Sequence, residues 1–270
     1  MLVFPNAKIN LGLNILKKRS DGFHDIASVF YPIGWKDALE VVEDESFSMT
    51  SSGLAVPGDW KNNLIYKAFL LVQEAFPSIK GCKVHLHKEI PMGAGMGGGS
   101  ADGAFMISTL NHVFDLHLSV SEMEEMAAKL GSDCPFFIQN RTRYCFDRGT
   151  SFENFDIQLS GYHLVVVNPG IHISTAEAYA GVSPKIPEAD LRSLLKEPIE
   201  QWQEKVKNDF EEALLVKYPI IATVKNKLLE LGASYASMTG SGSTVYGIFK
   251  SEPKIQNQFE GMSVWKETLK

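Results

Sequence analysis

The part of this sequence best suited to chemistry is a glycine-rich segment. It spans residues 90–102, reads IPMGAGMGGGSAD and contains five glycines. A loop with so few side chains leaves its backbone N–H groups accessible, and a helix-compatible segment, 101–114, follows at once. The start of a helix adds unpaired N–H donors and the positive end of the helix dipole. The segment is therefore predicted to bind phosphate, with a simple glycine turn as the alternative.

Two common nucleotide motifs fit this segment poorly. Gly93, Gly95 and Gly98 match the dinucleotide pattern GxGxxG, and Asp115 lies about where a ribose-binding carboxylate would stand. However, residues 83–88 alternate between polar and apolar side chains, whereas the first strand of a dinucleotide-binding fold is buried on both faces. The Lys-Ser/Thr pair of a Walker A loop is absent. An NAD(P)-binding oxidoreductase therefore stays only as an alternative.

Three polar side chains near short motifs are candidates for catalysis, and each also has a structural explanation. Asp133 opens a predicted helix and could be a catalytic carboxylate or a helix cap. Lys8 shares a face of the predicted strand 2–13 with Asn10, and it could neutralise a phosphate or be solvated. Ser100 could bind phosphate or Mg²⁺, or cap the following helix.

Composition limits the classes of function. The chain has 270 residues, which is enough for two domains, and we place a boundary between residues 158 and 159. A net charge of -6 argues against nucleic acid or a membrane surface as a partner. No apolar run approaches the ~20 residues of a membrane span. Cys82, Cys134 and Cys145 form no CxxC pair, so reduced thiols and a cytoplasmic location are predicted.

The elements that must position these residues are short strands and helices. A helix is predicted to begin at Asn62 or Asn63 and to stop at Pro77. Ser121 to Glu124 is interpreted as a capping box of a further helix. The polar run Asn208 to Glu211 is interpreted as part of a helix through residues 206–214. Further predicted elements are strands 26–33, 37–49, 83–88, 163–168, 234–238 and 244–249, and a helix over 220–231.

Three motifs taken together indicate a family. They are Pro5 to Leu11 (PNAKINL), the glycine segment 91–102, and Met238 to Ser243 (MTGSGS). In this order and spacing they resemble the GHMP kinases, small-molecule kinases named for galactose, homoserine, mevalonate and phosphomevalonate. The resemblance implies an α+β fold with two lobes. The lobe of residues 1–158 would resemble domain 2 of ribosomal protein S5 and bind ATP, and the lobe of residues 159–270 would be ferredoxin-like and lie on the substrate side.

The resemblance also implies roles for individual residues. Lys8 and Asp133 would be catalytic, Asp133 by orienting or deprotonating the acceptor hydroxyl, and Ser100 would contact Mg²⁺. The phosphates of ATP would lie on the glycine segment, at Pro91, Met92, Gly93, Ala94, Gly95, Met96, Gly97, Gly98, Gly99 and Ser100.

Two further segments reduce the number of candidate substrates. Residues 19–25 (RSDGFHD) and 131–137 (GSDCPFF) resemble the branch of the family whose small-molecule substrate carries a cytidine diphosphate, with Phe23 in place of the usual Tyr and Asp25 in place of Glu. Kinases for mevalonate, homoserine or a sugar are the alternatives within the family. Neither a nucleic acid nor a membrane is an expected partner, and the chain would be a monomer or a weak homodimer. The substrate-binding residues implied are Asn10, Phe23, His24, Thr175, Tyr179, Gly240, Ser241 and Gly242.

Overall fold

The computed structural model describes all 270 residues and has twelve strands, nine α-helices and two short 3-10 helices. The strands are β1 (Leu2–Val3), β2 (Asn6–Lys18), β3 (His24–Lys36), β4 (Ala38–Asp44), β5 (Ser48–Gly53), β6 (Gly81–Lys88), β7 (Arg143–Phe146), β8 (Ser151–Asn154), β9 (His163–Asn168), β10 (Tyr235–Met238), β11 (Val245–Phe249) and β12 (Ser263–Thr268). The α-helices are α1 (Leu64–Ala75), α2 (Gly98–Val113), α3 (Val120–Leu130), α4 (Cys134–Gln139), α5 (Thr175–Ala180), α6 (Leu191–Leu194), α7 (Trp202–Lys205), α8 (Glu211–Lys217) and α9 (Pro219–Glu230). The predicted α+β class is confirmed.

The chain packs into two units, and each unit contains several stretches of sequence. Unit 1 comprises Met1–Ala7, Gly34–Met92 and Gly97–Arg141. Unit 2 comprises Lys8–Ile33, Gly93–Met96 and Thr142–Lys270. The glycine segment thus contributes to both units. The division at 158/159 is not one of the points where the chain changes unit, and it stays a prediction about which residues serve nucleotide and substrate.

Unit 1 is built on a four-stranded sheet with the order β1-β4-β6-β5. Strand β6 is antiparallel to β4 and parallel to β5, which differs from the all-parallel start of a dinucleotide-binding fold. One face of β6 is buried through Val84 and Leu86. The other face carries His85 and His87, which form hydrogen bonds with hydroxyl groups of β5. The alternation seen in the sequence therefore marks a strand with one polar face.

Helix α1 shows how local sequence sets an element of unit 1. The Asn63 side chain accepts a hydrogen bond from the N–H of Ile65, so Asn63 is the N-cap. Buried Ile65, Ala68, Phe69 and Val72 follow at helical spacing, as predicted. The apolar side chains of α1 join a core with residues of the sheet and of α2.

The predicted start of α3 is wrong by two residues. Ser119, rather than Ser121, is the N-cap, and its partner in the capping box is Glu122 rather than Glu124. The sequence offers two overlapping S-x-x-E patterns, and the first of them coincides with the end of the preceding loop. The apolar pattern around the helix could not distinguish them.

Unit 2 contains a four-stranded sheet with the order β10-β11-β9-β12 and, except for the first two residues of β2 and the last three of β3, a second one with the order β2-β3-β7-β8. Every pairing in the first sheet is antiparallel. Residues 164–167 of β9, one of its two inner strands, are buried aliphatic residues, and α9 packs against β10 and β11. The strands predicted at 163–168, 234–238 and 244–249 are confirmed.

The helix predicted over residues 206–214 is wrong in its first half. Helix α8 begins at Glu211, and Asn208 instead forms a parallel β-bridge with Leu13. The N–H of Leu13 donates to the carbonyl of Lys207, and the N–H of Asp209 donates to the carbonyl of Leu13. Pairing with β2 thus overrides the apolar periodicity of the segment.

No helix has the length and apolar character that crossing a lipid bilayer requires. The cytoplasmic location and the monomer or weak homodimer inferred from the sequence stay predictions.

Candidate active site

The start of α2, in unit 1, has amides without a side-chain cap. The N-cap is Gly97, at φ 71°, and no side chain accepts a hydrogen bond there. Ser100 lies inside the first turn, so the interpretation of Ser100 as the helix cap is wrong. The Ser100 hydroxyl lowers the pKa of the Cys134 thiol, an effect smaller than that of burial. A Cβ at Gly99 would have no atom within 4 Å, so neither packing nor a positive φ requires a glycine at that position.

A cavity of about 500 Å³ opens beside this turn within unit 1. Gly99 and Asp102 of α2 form one side of it, and Trp60 contributes an aromatic ring. The volume is in the range of small-molecule sites, which combine apolar walls with a few polar groups. The remaining lining residues are Met49, Thr50, Ser51, Val56, Pro57, Gly58, Asp59, Asn62, Asn63, Leu64, Leu86, Lys88 and Met92.

A buried ion network lies under the first turns of α2. The ammonium of Lys88 donates to Asp102 at 2.8 Å and to Asp37 at 2.5 Å. Burial raises the pKa of Asp102 to about 7, although Lys88 acts in the opposite direction. Burial lowers the pKa of Lys88, and the two carboxylates more than offset this, so the net shift is upward. Sequence reasoning missed this network.

Asp133 stands immediately before α4 in unit 1. Asp133 is the N-cap residue of α4, as one of the two explanations predicts, but its carboxylate makes no capping hydrogen bond to that helix. Pro135 occupies the first turn, as predicted. The next residue, Cys134, is fully buried, and burial raises the pKa of its thiol to about 12. Cys134 is therefore an uncharged packing residue, whereas Asp133 is half-buried.

In unit 2 the two glycine-containing loops pack against each other through their backbones. Gly95 has φ 76°, and a Cβ there would collide with the carbonyl oxygen of Thr239. A Cβ at Gly240 would lie 2.8 Å from the carbonyl oxygen of Gly95. The side chains of Ala94 and Met96 are buried, at 3% and 1% exposure. Close backbone contact thus requires glycine at positions 95 and 240.

Lys8 is held at the first of these loops. Its ammonium donates to Asn10 Oδ1 at 2.6 Å and to the carbonyl oxygen of Gly95 at 3.1 Å, and it lies 4.6 Å from the centre of the Phe30 ring. The backbone N–H of Lys8 donates to the carbonyl of Met96. A buried, fixed ammonium is thereby attached to the glycine segment, and the explanation of Lys8 as a solvated lysine is wrong because only 3% of the residue is exposed.

Asn10 is the centre of this network. Its Nδ2 donates to Ser28 Oγ at 2.8 Å, and its Oδ1 accepts from Lys8 and from the Thr239 hydroxyl. Asn10 is 1% exposed, so in this structure its amide positions Lys8 and the second loop. A direct contact of Asn10 with substrate stays a prediction.

Asn208 fixes the second loop from the other side. Its Nδ2 donates to the carbonyl oxygens of Met238 and Gly240, at 2.8 and 2.9 Å. The carboxylate of the next residue, Asp209, accepts from the N–H of Ile15. Helix polarity therefore does not explain this run. Two adjacent polar residues, Asn208 and Asp209, among the apolar residues of the predicted helix were the available signal.

Two of the predicted substrate-binding residues, His24 and Tyr179, are neighbours in unit 2. The rings of His24 and Tyr179 are stacked, with centroids 4.7 Å apart and planes inclined by 18°. Tyr179 is held from its side by an edge contact with Phe210. Burial, with a smaller effect of Lys18, lowers the pKa of His24, so its imidazole is neutral at pH 7 and can both donate and accept hydrogen bonds.

Two further predicted substrate contacts are exposed. Phe23 is 54% exposed, and the guanidinium of Arg148 lies 5.2 Å from the centre of its ring. Thr175 is exposed and is the first residue of α5, directly after the N-cap residue Ser174 in the sequence. Both side chains are open to a ligand, which is compatible with the predicted role.

The structure brings together Lys8, Asn10, Gly95 and Thr239, and it brings together His24 and Tyr179. Asp133 belongs to unit 1 and Lys8 to unit 2. Their joint action on one phosphoryl group stays a prediction.

Comparison with known proteins shows to which family the chain belongs. The model of the GHMP kinases N terminal domain matches residues 63–141, and the GHMP kinases C terminal model matches residues 190–263. A protein of Cytophaga hutchinsonii is 46% identical over 255 residues, which cover 94% of both chains. The chain belongs to the GHMP kinase family. It is accordingly a small-molecule kinase, and the alternative of a dinucleotide-binding oxidoreductase is wrong.

Relatives within the GHMP kinases share a more specific name. The Cytophaga protein and a Bacteroides fragilis protein, 43% identical over 275 residues and the full length of both chains, are named 4-diphosphocytidyl-2-C-methyl-D-erythritol kinase. A crystal structure of 4-(cytidine 5'-diphospho)-2C-methyl-D-erythritol kinase superimposes with a TM-score of 0.79 at 28% identity, over 92% of this chain and 90% of that one.

Proposed function

We propose that this chain transfers the γ-phosphoryl group of ATP to the 2-hydroxyl of 4-diphosphocytidyl-2-C-methyl-D-erythritol, in non-mevalonate isoprenoid precursor biosynthesis. The observation that carries the proposal is the stacked pair of His24 and Tyr179. An aromatic face beside hydrogen-bonding groups is how proteins select a base, and mevalonate, homoserine and sugars have no base to select. The names of the relatives, which include the same substrate, support this acceptor.

The start of α2 is suited to the phosphates of ATP. The N–H groups of Gly98, Gly99 and Ser100 precede the first intrahelical hydrogen bonds, and the helix dipole favours negative charge there. Because no side chain covers Gly99, phosphate oxygens can approach its backbone closely. The adjoining cavity, with the Trp60 ring in its wall, is a suitable place for the adenine base. Contacts of residues 91–97 with ATP stay predictions.

Mg²⁺ fits this site through the nucleotide rather than through a protein cage. The structure has no group of three or more His, Cys, Asp or Glu residues that could hold a metal ion. Mg²⁺ in kinases is bound mainly by phosphates and water, with one or two protein oxygens. Ser100, in the first turn of α2, would supply such an oxygen. Bound Mg²⁺ would neutralise phosphate charge.

Lys8 and Asp133 are the residues to which we assign the transfer step. The acceptor oxygen forms a bond with the γ-phosphorus while the bond from that phosphorus to the β,γ-bridging oxygen breaks, which releases ADP. The Asp133 carboxylate orients the acceptor hydroxyl and takes its proton. The Lys8 ammonium, fixed by Asn10 and by the Gly95 carbonyl, stabilises negative charge on the transferred group.

The acceptor is tested with an ADP-release assay across four alcohols. We expect turnover with 4-diphosphocytidyl-2-C-methyl-D-erythritol and none with mevalonate, homoserine or galactose. Turnover of any of the last three without the cytidylyl compound would overturn the assignment. Thermal shifts with ATP–Mg²⁺ and with NADH provide an independent check, because only ATP–Mg²⁺ should stabilise the protein.

The transfer step is tested by Asp133→Asn and Lys8→Ala. Each should lower kcat by at least about 100-fold, a typical loss for such groups, in a protein that still folds. Asp133→Asn should leave Tm nearly unchanged, whereas Lys8→Ala should lower Tm, because it removes a buried side chain and a hydrogen bond to Asn10 Oδ1. Asp156→Asn and Lys254→Ala, which change exposed side chains of the same types, serve as controls. Near-normal turnover of both catalytic variants would mean that other residues carry the step.

A further inference from the structure

One carboxylate holds three consecutive residues at the end of β6. Asp37 Oδ1 accepts hydrogen bonds from the N–H groups of Glu89, at 2.7 Å, and Ile90, at 2.9 Å. Asp37 Oδ2 accepts from the ammonium of Lys88. Asp37 is itself tied to the sheet region, because its N–H donates to the carbonyl of Pro5. The chain is thus fixed immediately before the glycine segment begins.

The residues that Asp37 holds support the start of α2 directly. Lys88 donates a second hydrogen bond to Asp102, in the second turn of α2. Gly98, the first residue of α2, lies over Ile90 and Lys88. A Cβ at Gly98 would be 2.9 Å from Ile90 Cγ2 and 3.2 Å from Lys88 Nζ. The position of the first helical turn therefore depends on where residues 88–90 lie.

The energetics of this network indicate that it fixes the positions of its neighbours rather than stabilising the fold. Asp37, Lys88 and Asp102 are 1%, 1% and 3% exposed, and one cation faces two carboxylates. Buried ion pairs are often no more stabilising than apolar residues of the same volume. The raised pKa of Asp102 agrees, because it reflects the cost of burying the second negative charge. Directional hydrogen bonds, by contrast, fix atoms to within narrow limits.

We propose that Asp37 is a positioning residue for nucleotide binding. Through Lys88, Glu89 and Ile90 it sets the place of the α2 amides before the nucleotide arrives, so that no reorganisation is needed on binding. Lys88 and Asp102 line the cavity, whereas Asp37 does not, so Asp37 acts only through these neighbours. The inference rests on the proposed function, since it takes ATP as the ligand of the α2 start.

Asp37→Asn tests this role. The amide keeps the volume and one oxygen for the N–H groups of Glu89 and Ile90, but it presents an NH₂ group to Lys88. Lys88 then pairs with Asp102 one to one, so the protein should fold. We expect KM for ATP to rise about tenfold, while kcat and KM for the acceptor change less than about twofold.

Asp44→Asn is the matched control. Asp44 lies at the opposite end of β4, accepts a hydrogen bond from the N–H of Glu45 and pairs with Lys83. The carboxylate of Asp44 therefore has a backbone N–H partner and a lysine partner, as the carboxylate of Asp37 has. Asp44, however, does not lie beside the glycine segment. KM for ATP should not change in this variant.

Amide hydrogen exchange of the ligand-free protein gives a readout independent of activity. Exchange at residues 101–104, the first amides of α2 that are hydrogen-bonded within the helix, should be at least about tenfold faster in Asp37→Asn than in the wild type, and unchanged in Asp44→Asn. A second variant, Asp37→Glu, keeps the charge and displaces the carboxylate by one methylene group. It should raise KM for ATP in the same direction, because position rather than charge is at stake.

The outcomes separate the two proposals. A wild-type protein that neither binds nor uses ATP would overturn the proposed function. An active wild type together with a folded Asp37→Asn variant of unchanged KM for ATP and unchanged exchange would overturn the positioning role alone. A fall in kcat with no change in KM for ATP would likewise assign Asp37 a merely structural role.

Discussion

Gly95 in unit 2 and Gly99 in unit 1 stand four residues apart, yet their surroundings differ in kind. At Gly95 the backbone of the opposite loop occupies the space of a side chain, and φ is positive. At Gly99 the space is open, and the residue is part of a regular helix. Contact between two backbones thus requires a glycine at position 95, whereas neither packing nor a positive φ requires one at position 99. A glycine that packing does not explain is the better indicator of a ligand.

The strongest test of this comparison is Gly95→Ala. A Cβ there collides with the carbonyl oxygen of Thr239 and requires a residue at positive φ, so the free energy of unfolding should fall by at least about 3 kcal/mol. Chemical denaturation measures the loss. Gly58→Ala provides the control, since φ is positive there as well but nothing lies within 4 Å. Equal losses in both variants would refute the role of backbone contact.

A second test separates the acceptor from the nucleotide. Tyr179→Ala removes the ring that stacks with His24, and it should raise KM for the acceptor about 10- to 100-fold without changing KM for ATP, given the usual energy of base stacking. Tyr179→Phe keeps the ring and should restore KM. If the alanine variant raised KM for ATP instead, unit 2 would not be the acceptor side.

The pH dependence of stability tests the charged network of unit 1. Burial raises the pKa of Asp102 from 3.8 to about 7, so the folded protein retains a proton that the unfolded chain releases near pH 4. The contribution of the Asp102 carboxyl to the free energy of unfolding is therefore present at low pH and is lost as the pH rises toward 7. Asp102→Asn cannot ionise and leaves Lys88 paired with Asp37. It should raise Tm at pH 8 by about 3 °C and change Tm little at pH 4.

An equal change of Tm at both pH values in Asp102→Asn would contradict a titrating carboxylate at this position. Thr109→Val is the control, because Thr109 is another buried polar residue of α2 and does not titrate.

The smallest effect on stability is expected for Gly99→Ala. Alanine has a higher helix propensity than glycine, so the free energy of unfolding should rise by about 0.5 kcal/mol. At the same time, the methyl group enters the space proposed for phosphate, and KM for ATP should rise. Loss of stability, or unchanged affinity for ATP, would place Gly99 in the same class as Gly95.

Local patterns predicted much of this architecture. Asn63 and the apolar residues after it specify α1, and the alternation in residues 83–88 specifies a strand with one polar face. The three motifs, in their order and spacing, were sufficient to predict the family. The placement of Lys8 on the face of Asn10 also followed from strand periodicity.

The parts that sequence reasoning missed depend on distant partners. Asp37 and Lys88 are 51 residues apart, and nothing local shows that a lysine after a strand is buried between carboxylates. Asn208 was assigned to a helix because its neighbours are apolar at helical spacing, but pairing with β2 determines its conformation. Such pairings become visible only when the elements are packed.

Backbone amide chemical shifts on titration with a non-hydrolysable ATP analogue and Mg²⁺ test the central claim most directly. The amides of Gly98, Gly99 and Ser100 should show the largest changes, because the phosphates bind to uncapped N–H groups at the start of α2. Changes confined to other parts of the chain, with these three amides unaffected, would contradict the assignment of this turn as the phosphate site.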